Sequence, residues 1–185
     1  MSLAPLDHSG PWTFAELESL PDDGQRYEVV DGALLVSPAP THWHQAVARR
    51  LFLQLHEQCP ADWEVTYEVS FQVGTDGRVP DLAVVRAGIP VRPRAVAYQP
   101  GDFGLLVEVV SPTSTGMDRV LKPVEYARAG VPFYWLVETE PTVEVVAFQL
   151  VEGAYVERAR LGSGTGVLPG PFGPCIDVEA LAAST

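Results

Sequence analysis

The sequence predicts one domain of mixed α/β or α+β class, a mixed central β-sheet flanked by helices. Three observations carry that reading. The chain has 185 residues, the length of one ordinary domain. Its composition, 46% hydrophobic and 19% charged, is that of a packed globular chain. Its pattern runs helix, hairpin, helix, strands, helix, strands, which mixes both periodicities around one core. No linker or repeat divides it, so residues 1–185 read as a single domain.

The elements follow in order. Residues 13–20 (TFAELESL) predict a short helix, with Thr13 as N-cap and Glu16 as its capping-box partner. RYEVV and ALLVS flank Asp31-Gly32, the turn signature of an N-terminal β-hairpin. Residues 41–58 (THWHQAVARRLFLQLHEQ) are the clearest helix. Thr41 can cap it, and Val47, Leu51 and Leu55 recur at helical spacing. Residues 63–73 alternate, with Val65, Tyr67, Val69, Phe71 and Val73 on one face, and predict one half-buried strand. A turn at Gly74–Gly77 and a returning strand over 79–85 (VPDLAVV) follow.

The stretch 86–102, rich in Pro and Arg, predicts a loop. FGLLVEVVS (103–111) is almost continuously apolar and predicts a central strand. After the loop SPTSTGM, residues 118–130 predict a helix closed by Gly130, kinked or broken at Pro123. PFYWLVE, TVEVVAFQL and AYVERAR predict three more strands. A short helix over Val178–Ala182 ends the series.

The charge balance narrows the function. With 24 acidic and 12 basic residues the net charge is -12, so no overall field draws the chain to a polyanion. Nucleic-acid binding would need a local patch, a bound cation or self-assembly. No stretch is apolar enough to cross a membrane, and the N-terminus lacks the pattern of a secretory signal. Two cysteines are too few for a disulfide scaffold or zinc cluster. The expectation is a soluble, cytoplasmic protein. Eleven of the twelve basic residues are Arg; Lys122 is the single Lys. An ammonium can act as a compact point charge or lose its proton when desolvated, which a guanidinium does not do.

Three carboxylates sit where burial is costly. Glu108 lies within Leu105–Val110, in a strand apolar on both faces. Asp81 lies in VPDLAVV, where Pro80 marks a strand edge, end or bulge. Glu28 lies in Tyr27–Val30 as a milder case. An ionised buried carboxylate needs a cation, a hydrogen-bonding partner or a proton. For Glu108 alone, a buried pair with an Arg is one answer. Two such carboxylates on neighbouring strands also suit Mg²⁺ or Mn²⁺, hard ions that take oxygen ligands. His44 shares the helical stripe of Val47, Leu51 and Leu55, so its ring points toward the sheet. That spacing also fits a core-edge histidine bonded to backbone. Asp118 and Lys122, four apart, read equally as a surface pair. Arg49-Arg50 and the pair Arg92 and Arg94 are two small basic patches that can touch phosphate or simply face solvent.

YEVVDG (27–32), SPAPTHWH (37–44), PDLAVV (80–85) and LLVEVVSPTSTGMDRVLKPVEYARAGVPFYWLVE (105–138) together resemble the Uma2 family of restriction-endonuclease-like proteins, also catalogued as a domain of unknown function. The likeness covers nearly the whole chain in order. It implies a restriction-endonuclease-like PD-(D/E)xK core with the N-terminal hairpin as an addition. Pro80-Asp81 matches that superfamily's PD element and Glu108 its acidic member. Val110 stands where the strand lysine would be, and Lys122 is the candidate to replace it.

The resemblance therefore implies a metal-dependent endonuclease acting on nucleic acid, chiefly DNA. Asp81 and Glu108, with the backbone carbonyl of Val109 or Val110, would hold Mg²⁺ or Mn²⁺. Lys122 would orient or deprotonate water, and Glu28 and His44 would line the same site. The alternative is a catalytically inactive nuclease-fold module that binds nucleic acid or a protein. A homodimer is also expected, on the grounds that Tyr134, Trp135 and the late strands offer aromatic surface and that related endonuclease-like proteins pair.

Overall fold

The apolar run at 103–109 lies inside a six-stranded sheet. The computed structural model describes residues 8–17, 19–21, 24–37, 39–89, 98–110 and 116–183, without the side chains of Met117 and Asp118. In chain order the elements are α1 (Phe14–Leu17), β1 (Arg26–Val30), β2 (Ala33–Ser37), α2 (His42–Gln58), β3 (Trp63–Tyr67), β4 (Phe71–Val73), β5 (Asp76–Arg78) and β6 (Leu82–Arg86). A 3₁₀ turn (Pro100–Asp102), β7 (Phe103–Val109), a π-helical turn (Met117–Leu121), α3 (Lys122–Arg128) and β8 (Phe133–Glu138) follow. β9 (Glu144–Val151), β10 (Ala154–Leu161), β11 (Thr165–Val167), β12 (Cys175–Asp177) and α4 (Val178–Ala182) complete them.

The main sheet has the order β10-β9-β8-β7-β6-β3. Only β7 and β8 pair in parallel, and the other neighbours are antiparallel. A parallel step needs a crossover, and the π turn with α3 supplies it. β7 is buried at every position, which explains its apolar run. Its odd residues Leu105, Val107 and Val109 pack with Val47, Leu51 and Leu55 of α2. Leu106, and Val110 just past the strand's end, join Phe71, Tyr126 and Tyr134 on the other side. Glu108 lies between these two even positions, so its side chain enters the second face.

A four-stranded sheet, β2-β1-β5-β4, stands beside it. The predicted hairpin is present, with β1 and β2 antiparallel around Asp31-Gly32. The predicted single strand over 63–73 is instead two strands in two sheets. β3 pairs with β6 and β4 with β5, and between them Glu68 takes a left-handed φ of 44°. Val65 packs toward α2, whereas Phe71 packs in the opposite core. Period-two alternation survives this crossing, so the pattern conceals it. Tyr67 is consequently 41% exposed instead of inward. β5 forms where a turn was expected, and the returning strand starts at Leu82, leaving Asp81 at its mouth.

The helix expected over 118–130 divides between Leu121 and Lys122, one residue before Pro123, into the π-helical turn and α3. Pro123 falls in the first turn of α3, where a missing N–H leaves no helical bond unmade. Gly130 closes it at φ +81°. α1 is shorter than expected but keeps its box, with the Thr13 N–H donating to Glu16 Oε2 at 2.8 Å. The β11–β12 hairpin in the tail was not foreseen. Tyr134 and Trp135 are core residues, 1% and 0% exposed, so they provide no aromatic surface for a dimer. Alternation along β8 could not separate a sheet covered on both faces from one bare face. No described helix is long and apolar enough to cross a membrane.

Candidate active site

Glu108 enters a face that is otherwise apolar, and α3 answers its charge. The Lys122 Nζ lies 3.0 Å from Glu108 Oε2, and the Tyr126 hydroxyl donates to Glu108 Oε1 at 2.6 Å. Lys122 and Tyr126 are four apart, so both project from one face of α3. Glu28 reaches the same place from β1. Its Oε1 accepts the Val79 N–H at 2.9 Å and lies 3.7 Å from Lys122 Nζ. Glu28, Glu108 and Lys122 are 3%, 1% and 4% exposed, so the ammonium and carboxylates must balance each other without water. Burial and the Glu108 charge push the Tyr126 hydroxyl well above its usual range, so it remains a donor.

Asp81 joins this cluster through strand register. Leu82 of β6 faces Val107 of β7, and one further antiparallel step sets Asp81 opposite Glu108. Asp81 Oδ2 accepts the Val109 N–H at 2.7 Å and contacts His44 Nε2 at 3.1 Å. Its Oδ1 lies 2.8 Å from Arg26 Nη2. Burial would raise this carboxyl, but the His44 hydrogen bond and the Arg26 charge prevail and hold it at about 2. For His44, burial works downward, and the hydrogen bond and charge of Asp81 outweigh it to raise the imidazole. His44 is itself fixed at the start of α2, its N–H donating to Thr41 Oγ1 at 3.2 Å. Arg26 also contacts Glu68 Oε1 at 2.5 Å and stays firmly charged, its burial overcome by Asp81 and Glu68.

The structure therefore gathers Asp81, Glu108, Lys122, Glu28 and His44 into two adjoining groups, connected through consecutive residues Glu108 and Val109. Three participants were missed. Arg26 is two before Glu28 and so shares its face on β1, a period-two signal present in the sequence. Tyr126 is one helical turn from Lys122. Arg78, fully buried, forms a two-pronged pair with Glu125 of α3 at 2.7 and 2.5 Å and also donates to the Val29 carbonyl. No local pattern marks Arg78, because its partner is 47 residues away.

The basic patches separate. Arg50 donates to the Leu181 carbonyl at 3.1 Å and so ties α2 to α4. Arg49 lines an open cleft with His42, Gln45, Ala46 and Tyr67. Arg92, Arg94 and the Asp118 side chain lie outside the described residues.

Asp81 and Glu108 offer carboxylate oxygens, the ligand chemistry of a hard cation, and these oxygens are met by Arg26, His44 and the Val109 N–H at Asp81 and by Lys122 and Tyr126 at Glu108. Among the described residues, no three His, Cys, Asp or Glu side chains form a closed ligand cage. Two carboxylates are nevertheless the complement that a largely hydrated Mg²⁺ takes from protein. The two carboxylates fit such an ion in kind, and Arg26 contacts Asp81 Oδ1.

Residues 14–177 match the Uma2 family, described as "Putative restriction endonuclease". The chain belongs to the Uma2 family. A crystal structure described as "a putative nuclease belonging to DUF820 from Anabaena variabilis ATCC 29413" is similar to this Uma2 chain at a TM-score of 0.72. That likeness covers 92% of this chain and 97% of the other at 16% identity, and it shows a shared fold. No curated protein matches this Uma2 chain. The span matched to Uma2 contains the whole buried cluster, from Arg26 to Tyr126.

Proposed function

We propose that this Uma2 domain is a metal-dependent endonuclease that hydrolyses phosphodiester bonds of nucleic acid, with DNA as its substrate. The observation that supports this is the buried Lys122 ammonium, 3.0 Å from Glu108, on a strand whose neighbour presents Asp81. The lysine absent from the strand is supplied by α3.

In this reading Asp81, Glu108 and the Val109 carbonyl would hold Mg²⁺ or Mn²⁺. When bound, the ion supplies Lewis acidity and lowers the pKa of its water. Lys122 orients the attacking water and offsets charge on the phosphoryl group. Tyr126 holds one oxygen of Glu108 and leaves the other facing Lys122. Glu28 positions Lys122, and His44 positions Asp81. Arg26 moves from Asp81 onto Glu68, a partner it already contacts. Cytoplasmic location and a homodimer, which would bring two sites to one duplex, accompany the reading.

The test is incubation with plasmid DNA, single-stranded DNA and RNA in Mg²⁺ and in Mn²⁺. Metal-dependent cleavage by the wild type, lost in Lys122→Met, is the expected result. No cleavage of any of these substrates rejects the reading.

One observation favours a second reading. Asp81 already has Arg26, His44 and the Val109 amide, so the site is charge-compensated without a metal. A catalytically inactive nucleic-acid or protein-binding module needs nothing more. For nucleic acid it would show salt-dependent retention with no cleavage in either metal.

A further inference from the structure

We propose that the cleft beside the N-terminal half of α2 is a nucleotide subsite, in which Tyr67 stacks on a base and Arg49 takes a phosphate. This rests on the nuclease reading and extends it to how the strand is held. The cleft has a volume of about 270 Å³ and is lined by His42, Gln45, Ala46, Arg49 and Tyr67. His42, Gln45 and Arg49 recur at spacings of three and four, so they form one stripe of α2. Ala46 is buried beneath them as the floor.

Arg49 is one of four described arginines, with Arg50, Arg128 and Arg158, that have no described carboxylate within ion-pair distance, and of these it alone lines the cleft, where its charge is felt at the Tyr67 hydroxyl. A guanidinium without a carboxylate partner, presented on an exposed helix face, is suited to phosphate.

Tyr67 supplies the stacking surface. One face of its ring lies on Phe52, with centroids 4.3 Å apart and planes 20° from parallel. Phe52 stacks in turn on His56 at 5.5 Å and 9°. Tyr67 is the end of this row and is 41% exposed, so a base can extend the stack. Gln45 adds an amide at the same wall for hydrogen bonding to a base edge.

Both walls carry chain neighbours of the residues that contact Asp81. On α2, His44 lies between the cleft residues His42 and Gln45 and contacts Asp81 from the opposite side. On the other wall, Tyr67 precedes Glu68. The Glu68 N–H donates to the Asp81 carbonyl at 3.3 Å, and its carboxylate contacts Arg26. In the proposed arrangement a nucleotide in the cleft would neighbour the one presented to Asp81 and Glu108.

The experiment is fluorescence anisotropy of short fluorescein-labelled single-stranded and duplex DNA, in EDTA so that nothing is cut. The proteins are the wild type, Arg49→Gln, Tyr67→Ala, Tyr67→Phe and Arg158→Gln, the last on the distant strand β10. Arg49→Gln and Tyr67→Ala should each weaken binding about tenfold, whereas Tyr67→Phe and Arg158→Gln bind as wild type. The slope of log affinity against log salt should fall by about 0.7–0.9 in Arg49→Gln alone. Arg49 is exposed, so its variant keeps the fold whatever Tyr67→Ala does. Absence of wild-type binding, unchanged binding in both variants, or an equal loss in Arg158→Gln overturns the subsite. Cleavage in Mg²⁺ with unchanged KM in both variants overturns the subsite and leaves the nuclease. The expected binding pattern without cleavage in any metal does the reverse.

Discussion

Arg26 places its Nη2 2.8 Å from Asp81 Oδ1, so a cation from the protein itself sits on the carboxylate that begins β6. This pair makes the buried acid tolerable. A divalent ion bound as proposed would compete with it for the same oxygen.

Replacing Arg26 by Gln separates those two effects. The metal-free protein should lose about 3 kcal/mol of stability, because a buried charge loses its partner. Affinity for Mn²⁺, measured by calorimetry, should rise. Asp81→Asn should abolish that binding. Equal Mn²⁺ affinity in wild type and both variants would remove Asp81 from the site.

Lys122 compensates two acids at once. Lys122→Met should reduce cleavage by about a hundredfold or more. It should also destabilise the fold by about 3 kcal/mol, since Glu108 and Glu28 remain buried. Adding Glu108→Gln should recover part of the stability but none of the activity. Urea unfolding of the single and double variants measures this coupling.

Tyr126→Phe deletes one donor and keeps the ring. Glu108 then loses the hydroxyl donor at Oε1, at a cost of about 1–3 kcal/mol. A denaturant midpoint equal to that of the wild type would show the hydroxyl to be dispensable.

Stability should peak at mildly acidic pH through the Asp81–His44 pair. Asp81 falls from 3.8 to about 2 on folding, so its contribution is complete above 3.8 and disappears as pH drops toward 2. That contribution is about 2 kcal/mol. His44 is raised above 6.5, so its contribution is complete below 6.5 and disappears as pH rises through the folded value. Unfolding at pH 3, 5.5 and 8 checks both limbs. His44→Gln should flatten the alkaline limb, and Asp81→Asn should flatten both.

Local chemistry was enough for the long helix, the hairpin, the buried strand and the acids that did not belong there. Thr41 with Val47, Leu51 and Leu55, Asp31-Gly32, and Glu108 among Leu and Val all declare themselves within a few residues. The five candidate site residues came from the same evidence together with a family likeness. What the chain did not show was which face a segment would finally serve. Alternation ran unbroken across Glu68, yet the chain crossed from one core to another there. Tyr134 and Trp135 carried no mark of a sheet covered on both sides.

The pairings that compensate the buried charges were also tertiary. Arg26 with Asp81 and Arg78 with Glu125 join positions 55 and 47 residues apart. Periodicity records neighbours along one element. A desolvated ion is stabilised by whatever another element brings within about 3 Å, and only the folded chain determines which group that is.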